Sequence, residues 1–408
     1  MRLVRRHPLW ALVAAGLGVR LVLAFAIYGT SAIDVLAFAA DKTQGGDLEA
    51  VYEEGGFHAW PYPPLYLAWL VVADGIADAL GLSFHGVVQL LPILADVGIA
   101  LAVCAFLRRR GASEARRIAA AALVLLGPSF VAVSGYQGQI DSVAILPAVV
   151  ALIAWEARPT RVRAVQAGLL IGLGAAVKTV PGLVALPLLS CVRSAREGVK
   201  LVVAAAILPV AMLVPLYLDG IELDIVTEYA GVAGFGGLNL VVDPAVGWER
   251  IGEGAGLVES NPASEILADG SRWITAALLV ALAAFLFRYR PAAIDGTVLL
   301  WLAVFAFSPN FFLSYLVWAL PFFIMAGYLR ETAILQAALL PATVIYYLAI
   351  GERVHEPALA AIYVGSMLAL WAFWVLALVV VGRRIVRARD AHPAGVQPPL
   401  AGMAVEHG

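Results

Sequence analysis

The stretch MRLVRRHPLWALVAAGLGVRLVLAFAIY, residues 1–28, decides the fold class. Three arginines, Arg2, Arg5 and Arg6, precede an apolar run that continues from Pro8 to Tyr28. About 20 apolar residues at ~1.5 Å rise each cross the ~30 Å hydrocarbon core of a bilayer, so this run is a full span. It has the charge order of a signal peptide, but no small-residue cleavage pattern follows it. It reads as a first membrane helix with its arginines in the cytoplasm.

The rest of the 408-residue chain repeats the pattern. It is 62% hydrophobic and 14% charged, with mean hydropathy +0.89, against roughly 45–50% and 25% in soluble domains. That excludes a cytosolic enzyme, a secreted disulfide scaffold and a disordered protein. The apolar residues fall into many separated runs, the signature of a polytopic all-α membrane protein. A net charge of −2 argues against a nucleic-acid partner. Cys104 and Cys191 lie in apolar runs beside basic loops, which leaves no disulfide framework or cysteine metal site to expect.

Basic clusters recur at Arg108, Arg109, Arg110, Arg116 and Arg117; Arg158, Arg161 and Arg163; Arg193, Arg196 and Lys200; Arg288 and Arg290; Arg330; and Arg383, Arg384, Arg387 and Arg389. With the N-terminal arginines these are 21 of the 27 Lys and Arg residues, and acids concentrate between them. The segregation puts every cluster on the cytoplasmic side. A span over 62–81 would carry Arg108 outside, and Asp74 and Asp78 share one face of it. That segment is expected to be an interfacial helix with Pro63 and Pro64 in its first turn.

Twelve crossings are then expected near 8–28, 86–107, 118–135, 141–155, 164–177, 180–192, 200–218, 273–288, 295–308, 312–328, 332–350 and 358–381, both termini inside. The pairs 164–177/180–192 and 295–308/312–328 are short and suit hairpins that stop below the outer surface. One membrane domain would cover 1–389. It has external loops at 29–85 and 219–272 and a short one at 351–356, and 390–408 forms a disordered cytoplasmic tail. There is no convincing internal repeat, which weighs mildly against a conventional secondary transporter.

The first external loop carries the strongest chemical signal. Asp34 sits among apolar neighbours directly after the first span and shares a helical face with Phe38 and Asp41. A lipid-linked substrate would present its head group at that boundary. The loop acids Asp41, Asp47, Glu49, Glu53 and Glu54 read as a solvated surface, whereas Asp34 reads as functional. At Tyr136-Gln-Gly-Gln-Ile-Asp141, Asp141 can cap a helix, but Gln137 and Gln139 suit a polyhydroxy ligand better than a cap. Lys178 interrupts the apolar run GLLIGLGAAVKTVPGLVALPLL, residues 168–189, at an apex with Thr179 and Pro181. A lysine at that depth pairs, snorkels or binds an anion, and phosphate binding is preferred here over a structural ion pair.

Asn310 and Tyr315 could touch a sugar near the outer ends of two late spans, with an aromatic belt as the plainer reading. His58, Trp60 and Tyr62 are similar, lining a cavity or forming a belt. Arg250, Arg272 and Arg353 are the other external arginines, and nothing in the sequence chooses among them for phosphate contact. Arg20 lies inside the first span and should snorkel or pair, with Asp96 as one partner. No Walker loop, dinucleotide fingerprint, HExxH or Cys/His zinc spacing is present, and no cytoplasmic domain offers a nucleotide site.

These residues together resemble the GT-C superfamily of integral-membrane glycosyltransferases. The likeness is greatest to polyprenol-phosphate-mannose-dependent mannosyltransferases and bacterial relatives of the GPI mannosyltransferases. The matching parts are Asp34, the Tyr62-Pro-Pro helix, Gly138-Gln-Ile-Asp141, Ala176-Val-Lys178, and Ser308-Pro-Asn with Tyr315, Trp318 and Pro321. The resemblance implies a GT-C-like bundle with interfacial helices in the first external loop and Asp34 as catalytic carboxylate. Relatives usually carry Trp before the Gly-Gln pair, where this chain has Gln137.

The function expected is inverting transfer of a sugar, mannose by the resemblance, from a polyprenyl-phosphate donor to a lipid or glycan acceptor on the external face of the plasma membrane. Asp34 would be the general base, Lys178 the donor-phosphate contact, and His58, Tyr62, Gln137, Gln139, Asp141, Asn310 and Tyr315 the substrate contacts. No cofactor is expected. Asp34 with Asp41 or Asp141 could hold a divalent ion, but Lys178 already serves the leaving-group charge. The competing readings are a transporter or flippase of a lipid-linked saccharide, which would place polar residues at mid-membrane, and an assembly subunit in which Asp34 and Lys178 are dispensable.

Overall fold

The computed structural model describes residues 8–53, 60–157, 160–228, 235–253, 261–350 and 355–391. These form α-helices joined by short 3₁₀ and π turns, and no strand occurs among them. The chain divides into two compact units, one of residues 1–185 and 194–229, the other of 186–193 and 230–408.

Six described helical segments are long and apolar enough to cross a membrane: Pro8–Ala26, Phe84–Arg109, Glu114–Gln137, Ala195–Leu218, Ser271–Tyr289 and Pro357–Asp390. A seventh candidate is the pair Leu329–Ala338 and Leu340–Ala349, bent by 46°. Twelve crossings are therefore not found by this measure. The difference lies in the short apolar helices Val162–Val177, Val180–Ser190, Ala293–Phe307 and Leu313–Met325, and in Asp141–Ala157 with 17 residues. Ala293–Phe307 buries 13 of its 15 residues, and Leu316–Met325 buries all ten. Such helices are apolar all round because protein surrounds them, and hydropathy alone cannot separate that case from contact with lipid. By contrast, Ala195–Leu218 leaves Val199, Val203, Ile207, Val210 and Val214 exposed, an apolar face suited to hydrocarbon.

In the first unit, Ala32–Gln44 and Leu65–Leu80 are amphipathic helices of the first loop. Leu65–Leu80 buries Tyr66, Leu67, Leu70, Ala73 and Ala77 on one face. Asp78 is exposed at the flank of that face, and Asp74 accepts a hydrogen bond from Gln44 Nε2 at 2.7 Å. Pro63 and Pro64 precede this helix instead of occupying its first turn.

Thr160–Val177 packs closely on Ala195–Leu218 through small residues. A Cβ at Gly172 would lie 2.6 Å from the Ala205 carbonyl oxygen, so only glycine permits this approach. The basic ends of three helices are tied together. Arg163 Nε donates to Glu197 Oε1 at 2.7 Å, and its guanidinium lies 4.2 Å from the Trp155 ring centre. These contacts fix the start of Thr160–Val177, and Lys178 follows its other end.

Arg20 does pair with Asp96, and it does not snorkel. Its Nε and Nη2 reach Asp96 Oδ2 at 3.0 and 2.9 Å. Its other nitrogen, Nη1, donates to the carbonyls of Gly16 and Leu125. Ser134 Oγ donates to Asp96 Oδ2 at 2.6 Å and Ser142 Oγ to Oδ1 at 2.5 Å. A buried charge without such partners would cost several kcal/mol. The network pins the first span, Leu90–Arg109, the Val133–Gln137 turn and the start of Asp141–Ala157 to one another.

Candidate active site

The turn at Val133–Gln137 organises the first unit. It has π geometry and ends at Gly138, whose φ of 70° places it in the left-handed region. A Cβ there would sit 2.9 Å from Gln89 Cγ and 3.6 Å from Ile33 Cγ1. Glycine thus serves both the backbone and the close approach of its neighbours. On the other side of the turn, a Cβ on Gly29 would overlap the Tyr136 carbonyl oxygen. The chain leaving the first span is thereby pressed against the turn.

This contact places Asp34. It stands in the first turn of Ala32–Gln44, where a carboxylate complements the helix dipole. Ile33 beside it is buried against Gly138, while Asp34 itself is exposed. Tyr28 Oη donates a hydrogen bond to Asp34 Oδ1, and the Tyr28 ring meets His85 edge-on with centres 5.4 Å apart. Burial, then the bond and charge of Asp34, push the Tyr28 hydroxyl from the ordinary 10.0 up to about 12. The phenol therefore stays protonated and holds one carboxylate oxygen.

Three residues beyond Gly138, Asp141 opens Asp141–Ala157 and is fully buried. Its Oδ1 accepts from Lys178 Nζ at 2.8 Å. Lys178 follows the last turn of Thr160–Val177, where the dipole favours a cation. Pro181, three residues on, is the second residue of a 3₁₀ turn at Val180–Val184. The ammonium also lies 4.9 Å from the centre of the Tyr62 ring. Burial raises the Tyr62 hydroxyl above its ordinary value, and the Lys178 charge pulls it part of the way back.

Five expected site residues thus lie along one connected stretch. Lys178 touches both Tyr62 and Asp141, and Gln137 (buried) and Gln139 (half-buried) belong to the turn that leads into Asp141. Asp34 adjoins the same turn through Ile33. Lys178, expected as a phosphate contact in preference to an ion pair, has Asp141 as a counter-ion, because the carboxylate heading the preceding helix, Asp141–Ala157, faces it at the apex. His58 lies outside the described residues. Asn310 and Tyr315 belong to the second unit. There Asn310 is buried and accepts from Asn239 Nδ2 at 2.7 Å, and Tyr315 stacks on Trp318 with centres 3.8 Å apart. Among the described residues no three His, Cys, Asp or Glu side chains come together as a metal site.

Tyr28 and Gln89 were missed from the sequence. Tyr28 carried a readable signal, an aromatic hydroxyl at the end of the first span and six residues before Asp34. Gln89 carried none, because its role is to fill the space that Gly138 leaves.

No curated protein and no solved structure matches the chain. The model of glycosyltransferase family 87 matches residues 60–309, more than half of the chain, from the segment that holds Tyr62 through Asp141 and Lys178 to Pro309. That is a membrane family of the GT-C type, as the residue pattern suggested. With its apolar helices and this match, the chain belongs to glycosyltransferase family 87.

Proposed function

We propose that this glycosyltransferase moves a hexose, mannose in the first instance, from a polyprenyl-phosphate donor to a glycolipid or glycan acceptor at the external face of the plasma membrane, inverting the anomeric configuration. Both termini would then be cytoplasmic, as the basic clusters predict. The observation that carries this reading is Asp34: an exposed carboxylate at the head of a loop helix, held by Tyr28, in a chain of a glycosyltransferase family.

Asp34 accepts the proton of an acceptor hydroxyl as that oxygen bonds to the anomeric carbon. The bond from that carbon to the phosphate oxygen breaks, and its electron pair leaves with the polyprenyl phosphate. The transition state has oxocarbenium character, as in other glycosyl transfers. Phosphate is a good leaving group, so a single carboxylate serves an inverting reaction. What the departing group needs is a positive charge in a site of low dielectric. Lys178 supplies it, since an ammonium has three N–H donors and can serve Asp141 and a phosphate together. Gln137, Gln139 and Tyr62, which lie along one stretch of the first unit, are the sugar contacts this reading favours.

The test is incubation of the purified protein with radiolabelled polyprenyl-phosphate mannose and a membrane lipid extract. The expected result is a new labelled glycolipid of opposite anomeric configuration, with one polyprenyl phosphate released per sugar moved. Label that stays on the donor across a panel of polyprenyl-phosphate hexoses, but moves from a nucleotide sugar, would refute the proposed donor. Label that merely crosses the bilayer unchanged would identify a flippase.

A further inference from the structure

The second unit contains a cavity of about 240 Å³ that the proposed reaction does not use. Its apolar wall includes Leu302, Phe323 and Leu335, and its rim is formed by Phe373, Leu376 and Val380. All three rim residues are exposed, Leu376 at 62%, so the cavity opens sideways from the helix Pro357–Ala391. Every polar wall group lies toward one end: Tyr328, Glu331 and Thr332 near the start of Leu329–Ala338, and Arg384 near the end of Pro357–Ala391. From Phe373 to Arg384 the helix rises roughly 16 Å, about half of the ~30 Å hydrocarbon core. The groove therefore has the length of one leaflet, charged at the head-group end and apolar toward mid-bilayer.

We propose that this groove holds one hydrocarbon chain of a bilayer phospholipid whose head group carries both a phosphate and a primary ammonium, as in phosphatidylethanolamine. The volume is below the roughly 300–1,000 Å³ of a pocket for a drug-sized ligand, which suits part of one chain with the head group outside. Charge complementarity selects the head group. Arg384 is the cation of the wall and offers planar N–H donors to a phosphate. Glu331 is its acid and accepts from an ammonium. Burial raises the Tyr328 hydroxyl above its ordinary value, Asp295 adds to this and Arg384 opposes it, which places two acids and one arginine around one hydroxyl. A purely anionic head group would face those acids, and a choline, having no N–H to donate, offers them charge without a hydrogen bond. Thr332 adds a hydroxyl that is 1% exposed and makes no hydrogen bond within the described protein.

Native mass spectrometry of the full-length protein in detergent tests this directly. The micelles would contain equal amounts of palmitoyl-oleoyl phosphatidylethanolamine, phosphatidylcholine and phosphatidylglycerol. The ethanolamine lipid should be retained about tenfold over the other two, the worth of one charge-assisted hydrogen bond. Glu331→Gln, a change at an exposed position, should reduce it to the choline level. Ala377→Trp, which fills the groove from its half-buried rim, should lower retention of all three. Equal retention of the choline lipid, preference for the glycerol lipid, or unchanged retention in either variant overturns the proposal.

Discussion

Lys178 and Asp141, 37 residues apart in sequence, form a buried ion pair with Nζ and Oδ1 2.8 Å apart. The lysine ends one helix and the aspartate begins another, so each sits at the helix end whose dipole favours its charge. Removing one partner leaves the other charged and desolvated. Lys178→Met should therefore destabilise the protein by about 3–5 kcal/mol. The double variant Lys178→Met/Asp141→Leu should regain most of that, measured by thermal unfolding in detergent. If Lys178 also holds the donor phosphate, the double variant refolds to near wild-type stability and still fails to turn over donor. Activity restored together with stability would reduce Lys178 to a structural pin.

The Arg20–Asp96 network is purely architectural in this account. Asp96→Asn keeps the side-chain shape but leaves the Arg20 guanidinium buried without its counter-ion, at a cost of about 3–5 kcal/mol. Asp34→Asn, at an exposed position, should change stability by no more than about 0.5 kcal/mol. Parallel unfolding of the two variants checks the contrast.

Gly138→Ala should cost about 1–2 kcal/mol from the left-handed backbone alone. The further cost of its contact with Gln89 should be relieved by Gln89→Ala, whereas the backbone cost should persist in the double variant.

Tyr28 gives a pH signature. Its hydroxyl is raised from 10.0 to about 12, by burial first and by Asp34 second. The folded state holds that proton more tightly than the unfolded chain does. Its contribution to stability is thus complete below about pH 10 and is lost as the pH rises toward 12. Absorbance titration of wild type against Tyr28→Phe should show one late-ionising phenol missing from the variant. A Tyr28 transition near pH 10 in the folded protein would contradict the hydrogen bond to Asp34.

Much of this was legible in the sequence because charge and hydropathy act locally. The helix behind Pro63 and Pro64 and the apex at Lys178 each follow from a residue and its immediate neighbours, whereas Arg20 and Asp96, 76 residues apart, could be paired because a charge inside one span needs an opposite charge inside another. Helix length recovers six or seven of the twelve expected crossings, because helices such as Ala293–Phe307 and Leu316–Met325, as apolar as a lipid-facing span, are short and packed in protein. The Lys178–Asp141 pair was not legible. Each residue had a sound local explanation, a phosphate contact and a helix cap, and only tertiary packing brings the two together. Gly138 shows the same limit. The sequence pointed at Gln137 and Gln139 on either side of it, and the geometry adds at Gly138 a left-handed backbone that lets Ile33 and Gln89 close in.

The most direct measurement is single-turnover transfer by Asp34→Asn protein from radiolabelled polyprenyl-phosphate mannose, with donor binding followed separately. The asparagine keeps an acceptor for Tyr28 but cannot take up a proton. Transfer should fall by about 10²–10⁴-fold, the usual contribution of a general base, while donor affinity and unfolding temperature stay at wild-type values. Transfer at the wild-type rate would remove Asp34 from the chemistry, and the proposed mechanism with it.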